Sequence, residues 1–236
     1  MGPSWGPRFS PQYLWAHVRE SEVQQQLRAA FGRWGLPRSI RVDNGKPWGS
    51  WSDLPPVLAL WLIGLGIEMI WNPPRQPQYN GVVERSQGTA KRWAEPKACR
   101  TAAELQRRLD ADDLMQRERY PFRHGCSRSE VFPGLAHSGR TYKRADERKR
   151  WNLEQVLEHL SGYRVARRVD QAGHVSVYNR SFYVGTANKG QRVYLMVDPN
   201  RREWLFVAAD GRQLRTIPAD ELNAERICTL TLNGNK

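Results

Sequence analysis

The stretch SIRVDNGKPWGS, residues 39–50, carries the chain from a short apolar run into a turn. The run contains Ile40 and Val42, and it ends directly at Asp43, which Asn44-Gly45 follows. Asp-Asn-Gly is common in turns, so the Asp43 carboxylate can be purely structural. A carboxylate at the end of a buried strand can equally be one ligand of a metal site, whose other ligands then lie elsewhere in the chain.

The segments on either side of this stretch alternate between helical and extended patterns. Apolar residues recur at helical spacing over 20–35, and residues 54–67 are apolar nearly all round. Residues 68–74 (EMIWNPP) read as a second short strand, and VVERSQGTAKRWAE, 82–95, begins another helix. This order predicts an α/β layer with a parallel sheet. Asp43 then lies at the carboxyl edge of that sheet, where open α/β sheets place their ligands.

Three predicted helix starts depend on capping residues. Ser21 is the expected N-cap of the first helix and Asp53 that of the second. Thr101 and Glu104 form a capping-box pattern at the start of a helix over 101–120.

The charge balance indicates a polyanionic partner. The 236 residues include 37 Lys and Arg against 24 Asp and Glu, for a formal net charge of +13. This favours a nucleic-acid partner, although a merely basic protein has the same balance. The three cysteines form no CxxC pair, which argues against a cysteine zinc site and suits a reducing cytosol. No apolar run approaches the length that crosses a membrane.

The second half of the chain changes character after residue 162. Short alternating segments are divided by turn signals at 171–173, 188–190, 198–200 and 210–211. Five or so such strands predict a small antiparallel barrel. The charge run GRTYKRADERKR, 139–150, is interpreted as a linker, and it is as consistent with a solvated face as with a DNA contact.

Glu84 is the predicted partner of Asp43. It follows Asn80-Gly81 in the first turns of a helix. The helix between the two strands returns the chain to the side of the strand that carries Asp43. Two-metal phosphoryl transfer requires carboxylates held in this way, close enough to bind two Mg²⁺ ions.

The runs LPRSIRVDNG, 36–45, and LGIEMIWNPPRQPQYNGVVERSQGTAKRW, 65–93, resemble the catalytic core of the retroviral-type integrases and insertion-sequence transposases. That family has a ribonuclease H-like fold and an Asp-Asp-Glu triad that binds Mg²⁺ or Mn²⁺. The resemblance implies that Asp43 is the second acid and Glu84 the third. It also implies that Lys91, seven residues after Glu84, contacts the transposon-end DNA. Plausible helpers in positioning the DNA are Arg85, Arg92 and the Asn80-Gly81 turn.

The sequence departs from the family at the first acid. The family's first Asp lies on an earlier strand, whereas no Asp precedes Asp43 here, and Glu20 and Glu22 lie at a helix start. The chain therefore resembles an N-terminally truncated transposase, which we expect to bind metal weakly and to bind DNA with little or no catalysis. The alternative is a catalytically inactive DNA-binding or multimerising fragment that regulates transposition. A misfolded remnant is a third reading.

The predicted barrel resembles the SH3-like DNA-binding domain that often follows this core. Basic side chains with Tyr178, Tyr183 and Trp204 among them suit backbone binding with stacking. An ordinary barrel with an aromatic core and a basic exterior fits the pattern equally well. The basic candidates for DNA contact are Arg167, Arg168, Arg180 and Arg192.

The predicted organisation has four parts. Residues 1–98 form a partial ribonuclease H-like α/β integrase catalytic core, and 99–161 a helical and basic linker. Residues 162–223 form an all-β SH3-like barrel, and 224–236 a polar tail. The resemblance implies transposon-end and target DNA as partners and a homo-oligomer on DNA, without a membrane, in a cytoplasmic and nucleoid-associated protein.

Overall fold

The structure, a computed structural model, describes residues 18–49, 53–76, 78 and 81–232, without the side chains of Val82 and Val83. These residues form two units. The first combines the described residues up to Pro37 with Asn72–Arg144, and the second combines Arg38–Trp71 with the described residues from Ala145 onward.

The helices and strands of the described residues follow one another in mixed order. In chain order they are α1 (Glu20–Trp34), β1 (Ser39–Val42), α2 (Val57–Gly64), β2 (Glu68–Trp71), α3 (Gly81–Ala94), α4 (Ala102–Glu118), α5 (Arg128–Val131), α6 (Glu147–Arg150), α7 (Leu153–Ser161), β3 (Val165–Arg168), β4 (His174–Val177), β5 (Arg180–Tyr183), β6 (Arg192–Asp198), β7 (Glu203–Ala208), β8 (Gln213–Pro218) and α8 (Ala224–Cys228).

The parallel pairing expected of the first two strands is confirmed. β1 and β2 run in the same direction, with Ser39 opposite Glu68 and Val42 opposite Trp71. The connection between them is α2, so β1, α2 and β2 form one β-α-β unit. The predicted order of helix, strand, helix, strand and helix is likewise confirmed from α1 to α3.

Two of the three predicted helix caps are wrong. The N-cap of α1 is Arg19, and Ser21 lies inside the helix. Asp53 does not cap α2, whose N-cap is Pro56 with an extended backbone (φ −65°, ψ 162°). The physical reason is that a residue before proline avoids the helical region, so the two prolines at 55 and 56 keep the chain extended.

Thr101 is the cap that the pattern predicted. Its side chain accepts a hydrogen bond from the N–H of Glu104, at 3.1 Å. The Glu104 carboxylate reaches back to the N–H of Arg100, at 2.9 Å, instead of to Thr101. The reciprocal half of the capping box is therefore displaced by one residue.

The second unit has its core around α2, whose eight residues are all buried. The helix is buried on every side because its sequence, VLALWLIG, has apolar residues on all of its faces. Helix α7 packs against α2, and Val156, Leu157 and Leu160 are buried there. The indole of Trp151 lies against Gly64, at the place where a side chain at 64 would project, and donates to the carbonyl of Leu60, at 3.3 Å.

The strands after residue 162 pair antiparallel, as expected. One sheet has the order β3-β6-β7-β8, and β4 pairs with β5 as a separate hairpin. Alternate residues of β6 and β7 are buried, and Trp204 and Phe206 are fully enclosed. The β4–β5 turn at Tyr178-Asn179 has positive φ at both residues (47° and 59°), as a type I′ turn requires. The turn signals in the sequence did not mark it.

The predicted polar tail begins instead with a helix. α8 occupies Ala224–Cys228, and Ile227, Cys228 and Leu232 are buried. Apolar residues at 227, 228 and 232 recur at helical spacing, a pattern that the short polar surroundings obscured. Within the part of the chain that the structure describes, no helix is long and apolar enough to cross a membrane.

Candidate metal and nucleic-acid sites

Asp43 lies one residue beyond β1, at the carboxyl end of the strand, with its side chain exposed. Its Oδ1 accepts a hydrogen bond from the N–H of Gly45, at 3.2 Å. This is the turn geometry that one reading of Asp-Asn-Gly predicted. The same turn leaves the carboxylate on the solvent side of the strand end, so the structural and the metal-binding readings are compatible.

The loop after Asp43 is held against the end of the neighbouring strand. Trp71, the last residue of β2, donates its indole N–H to the carbonyl of Trp48, at 3.0 Å. Pro47 is buried in the same loop. Since Trp71 is the register partner of Val42, this bond closes the loop over the carboxyl ends of both strands.

Glu84 lies in the first turn of α3, in the first unit, with its side chain exposed. Helix α3 is packed on α4 through Ala90 and Ala94. Lys91 is also exposed. It lies seven residues after Glu84, close to two full helical turns, so the two side chains point in directions that differ by about 20°.

The other predicted helpers lie close to these two residues in the chain. Arg85 and Arg92 are exposed on the same helix, and Gly81 is the first residue of α3. Asn80 lies outside the described residues.

A metal site built from these acids stays a prediction. Asp43 belongs to the second unit and Glu84 to the first, and each is described within its own unit. Among the residues that the structure describes, no three or more His, Cys, Asp or Glu side chains are grouped so that they could hold a metal ion.

Two of the four arginines predicted to contact DNA, Arg167 and Arg180, are engaged in ion pairs. Arg167 lies 2.7 Å from the carboxylate of Asp53. Arg180 lies 3.2 Å from the carboxylate of Glu221, which is 2% exposed and also accepts the indole N–H of Trp204, at 2.7 Å. Both arginines therefore have a structural role that sequence alternation does not reveal.

The other two of these arginines, Arg168 and Arg192, are exposed and directly opposite each other across the β3–β6 pair. Like charges in facing positions repel, and a phosphate between them relieves that repulsion. Of the four candidates, these two have the geometry that best suits a contact with a nucleic-acid backbone.

Of the three aromatic residues predicted to stack on DNA, two have structural roles and one is exposed. Trp204, on β7, is fully buried, so it belongs to the core of the second unit. Tyr178 donates its hydroxyl to the carbonyl of Pro55, at 2.8 Å, and burial raises the pKa of its phenol. Tyr183 alone of the three is exposed, with the Arg215 guanidinium 5.8 Å from its ring.

Sequence reasoning missed a set of exposed aromatic residues in the first unit. Trp93, Tyr120 and Phe122 are 42%, 48% and 39% exposed, and together they are called the aromatic patch below. The signal in the sequence was the position of Trp93 directly after Lys91-Arg92, and of Tyr120-Pro121-Phe122 in a basic segment.

A comparison with models of known protein families finds none that matches the chain.

Proposed function

We propose that the chain carries two of the three acids of a Mg²⁺-dependent DNA strand transferase of the integrase and transposase type. The proposal rests on the exposed carboxylate of Asp43 at the carboxyl end of a strand in a parallel β-α-β unit. Open α/β sheets bind their ligands at that edge. Glu84 lies in the first turn of the helix that follows β2, and the resemblance implies that it is the third acid.

The donor chemistry of Asp43 and Glu84 fits a hard divalent cation, because Mg²⁺ and Mn²⁺ prefer carboxylate oxygens. When bound, Mg²⁺ supplies Lewis-acid stabilisation of the charge on a phosphodiester under attack. The N–H of Gly45 holds the Asp43 carboxylate. The hydrogen bond from Trp71 to Trp48 closes the loop that follows Asp43. The ammonium of Lys91 supplies a cation for the phosphates of the DNA end.

The purified chain of residues 1–236 should bind DNA and have little strand-transfer activity. No aspartate precedes Asp43 in the sequence, so the family's first acid is not among these residues. A site with two carboxylates binds divalent cations more weakly than one with three, because fewer charges and fewer donor oxygens hold the ion.

Binding of Mn²⁺ tests the pairing of the two acids. The free Mn²⁺ that remains in solution is measured by electron paramagnetic resonance for the parent chain, Asp43→Asn and Glu84→Gln. Each variant should lower the Mn²⁺ affinity several-fold. Asp53→Asn is the matched control, since Asp53 is also an exposed carboxylate but pairs with Arg167. If Asp43→Asn and Glu84→Gln bind Mn²⁺ as the parent does, the two residues do not share a site and the proposal fails.

Binding of duplex DNA tests the role of α3. Lys91→Gln should weaken binding to a labelled duplex and reduce the slope of log affinity against log salt by about 1. Glu84→Gln should retain full binding. Nicking of supercoiled plasmid with Mg²⁺ should be weak, and nicking well above that of Glu84→Gln would contradict the expected low activity.

The second candidate is a DNA-binding or multimerising fragment that regulates transposition without catalysis. It is favoured by the exposed arginines Arg168 and Arg192, which face each other across the β3–β6 pair, in a chain of net charge +13. Arg168→Gln and Arg192→Gln should then lower duplex affinity and its salt slope, while the Asp43 and Glu84 variants change neither Mn²⁺ nor DNA binding. Sedimentation with and without DNA would show whether copies of the chain assemble on it.

A further inference from the structure

The first unit concentrates the exposed apolar surface of the chain. Seven large apolar side chains are exposed among the described residues, and five of them lie between residues 93 and 122. Three of those five form the aromatic patch, Trp93, Tyr120 and Phe122. Single exposed apolar residues need no explanation, but a group of aromatic rings on one unit indicates a binding surface.

The rings of the patch are arranged close to one another. The ring centroids of Trp93 and Tyr120 are 5.5 Å apart. Phe122 follows Tyr120 by two residues, and the N–H of Tyr120 donates to the carbonyl of Met115, at 2.8 Å, which fixes Tyr120 at the end of α4. Phe132, which is half-buried, packs against Phe122 with its ring centroid at 5.8 Å.

Two arginines lie over one ring of the patch, and the segment around them is basic. Residues 117–128 contain four arginines and one glutamate, and that glutamate, Glu118, pairs with Arg117. The guanidinium groups of Arg123 and Arg128 lie over Phe122, at 5.3 and 5.0 Å from the ring centroid. Arg128 is fixed there by donating to the carbonyl of Gln116, at 2.8 Å.

Charge decides between the two kinds of partner that such a surface fits. A second copy of the chain meeting the patch with its own patch would bring arginines of both copies together, which is unfavourable. A polyanion gains from the same arginines. Exposed flat rings among cations are what nucleic-acid bases stack on, and the faces of bases are accessible only where the strand is unpaired.

We infer that the aromatic patch binds single-stranded DNA, with unpaired bases stacked on Trp93 and Tyr120 and phosphates held by the arginines that lie over Phe122. The choice of DNA over RNA rests on the proposed function, whereas the stacking itself does not. The patch contains none of Asp43, Glu84 or Lys91, so variants of the patch test this inference separately from the metal site.

The test compares single-stranded with duplex DNA on the full chain. Fluorescence anisotropy measures binding of a labelled oligodeoxythymidylate of roughly 15 nucleotides and of a duplex of the same length. The double variant Trp93→Ala with Tyr120→Ala should weaken single-strand binding about tenfold or more, because stacking contributes about that much per base. Duplex binding should change less than about twofold, since the phosphate contacts of a duplex need no stacking.

Two control variants separate the stacking of bases from a general loss of apolar surface. Trp93→Phe with Tyr120→Phe keeps the rings and should retain most of the single-strand affinity. Leu114→Ala removes an exposed apolar side chain without a ring, and it should have no effect. If the alanine double variant does not fold, Arg123→Gln provides the test, with an expected loss of about one unit in the salt slope for the oligonucleotide.

Three outcomes would overturn the inference. Equal losses for single-stranded and duplex DNA would mean that the patch does not stack bases. Unchanged oligonucleotide binding, with a shift towards smaller species in sedimentation, would identify the patch as an interface between copies of the chain. Tighter binding of oligouridylate than of oligodeoxythymidylate would make RNA the ligand, and the duplex and Mn²⁺ experiments would still report separately on the proposed function.

Discussion

The guanidinium of Arg167 and the carboxylate of Asp53 form an ion pair at 2.7 Å that joins β3 to the loop before α2. Asp53 was the predicted cap of α2, and Arg167 a predicted DNA contact. The hydroxyl of Tyr178 adds a second link to the same loop through the carbonyl of Pro55. The β-α-β unit that carries Asp43 is thus tied to the antiparallel strands that follow residue 162, within one unit.

Asp53→Asn and Arg167→Gln should each lower the free energy of unfolding by about 0.5–1 kcal/mol, because the pair is partly exposed and screened by solvent. The double variant should cost less than the sum of the two, which is the mark of a direct interaction. Urea denaturation of the four proteins measures the coupling. Arg168→Gln, at the next residue of β3, is the control and should show no coupling to Asp53→Asn. Additive effects of the Asp53 and Arg167 changes would contradict the pairing.

Gly64→Ala should destabilise the protein by about 1–3 kcal/mol or more, because the new Cβ would collide with the buried indole of Trp151. Gly88→Ala is the matched change in the middle of α3, where a Cβ meets open space. It should raise stability by up to about 1 kcal/mol through helix propensity. Thermal melts of both variants check the prediction, and equal effects would mean that Trp151 does not occupy this place.

Glu221→Ala should lower the free energy of unfolding by about 2–4 kcal/mol, since it removes a buried carboxylate that binds both Arg180 and the indole N–H of Trp204. Arg180→Gln should lower it by a similar amount, because it leaves the buried carboxylate of Glu221 without its cation. Arg192→Gln should leave stability unchanged and lower duplex DNA affinity more than Arg180→Gln does. Paired urea titrations and anisotropy measurements test this, and the reverse order of DNA effects would assign the DNA contact to Arg180.

His159 should make stability fall as the solution is acidified from near neutrality. Burial lowers its pKa below the ordinary value of 6.5, and the ring lies between Trp71 and Tyr163. In the window from about 6.5 downward to that lower pKa, the unfolded chain binds the proton more readily than the folded chain does. The free energy of unfolding therefore decreases as the pH decreases, and the contribution of the neutral ring is complete above 6.5.

Denaturant titrations across this pH range check the role of His159. His159→Gln should flatten the curve of stability against pH, and exposed His124→Gln should leave its slope unchanged. Carboxyl groups contribute equally to the parent and the variants, so the comparison isolates the imidazole. An unchanged slope in His159→Gln would show that the ring is not what makes folding depend on pH here.

The features that the sequence predicted well have local causes. The apolar runs of β1 and β2 and the periodicity of α1 follow from residues within one element, and Thr101 caps the helix that begins beside it. Asp53 does not cap α2, because the two prolines after it keep the backbone extended and delay the start of the helix. This cause is also local, but it acts against the capping preference of Asp53.

The features that the sequence could not predict depend on distant partners. Arg167 meets an acid 114 residues away, and alternation along β3 says nothing about that encounter. The exposure of Trp93 depends on how α3 packs on α4, because a tryptophan at helical spacing is as consistent with a core position as with a surface one. Whether Asp43 and Glu84 share a metal stays a prediction from the resemblance.

The second unit combines two segments that lie far apart in the sequence, and this has a consequence for how the chain is synthesised. Helix α2 is wholly enclosed in the finished protein, yet α7, which packs against it, follows roughly 90 residues later in the chain. At the usual speed of translation that is about 5–20 seconds during which a fully apolar segment leaves the ribosome without its covering helix. A nascent chain stalled between α2 and α7 therefore exposes eight consecutive apolar residues, a segment that holdase chaperones would bind.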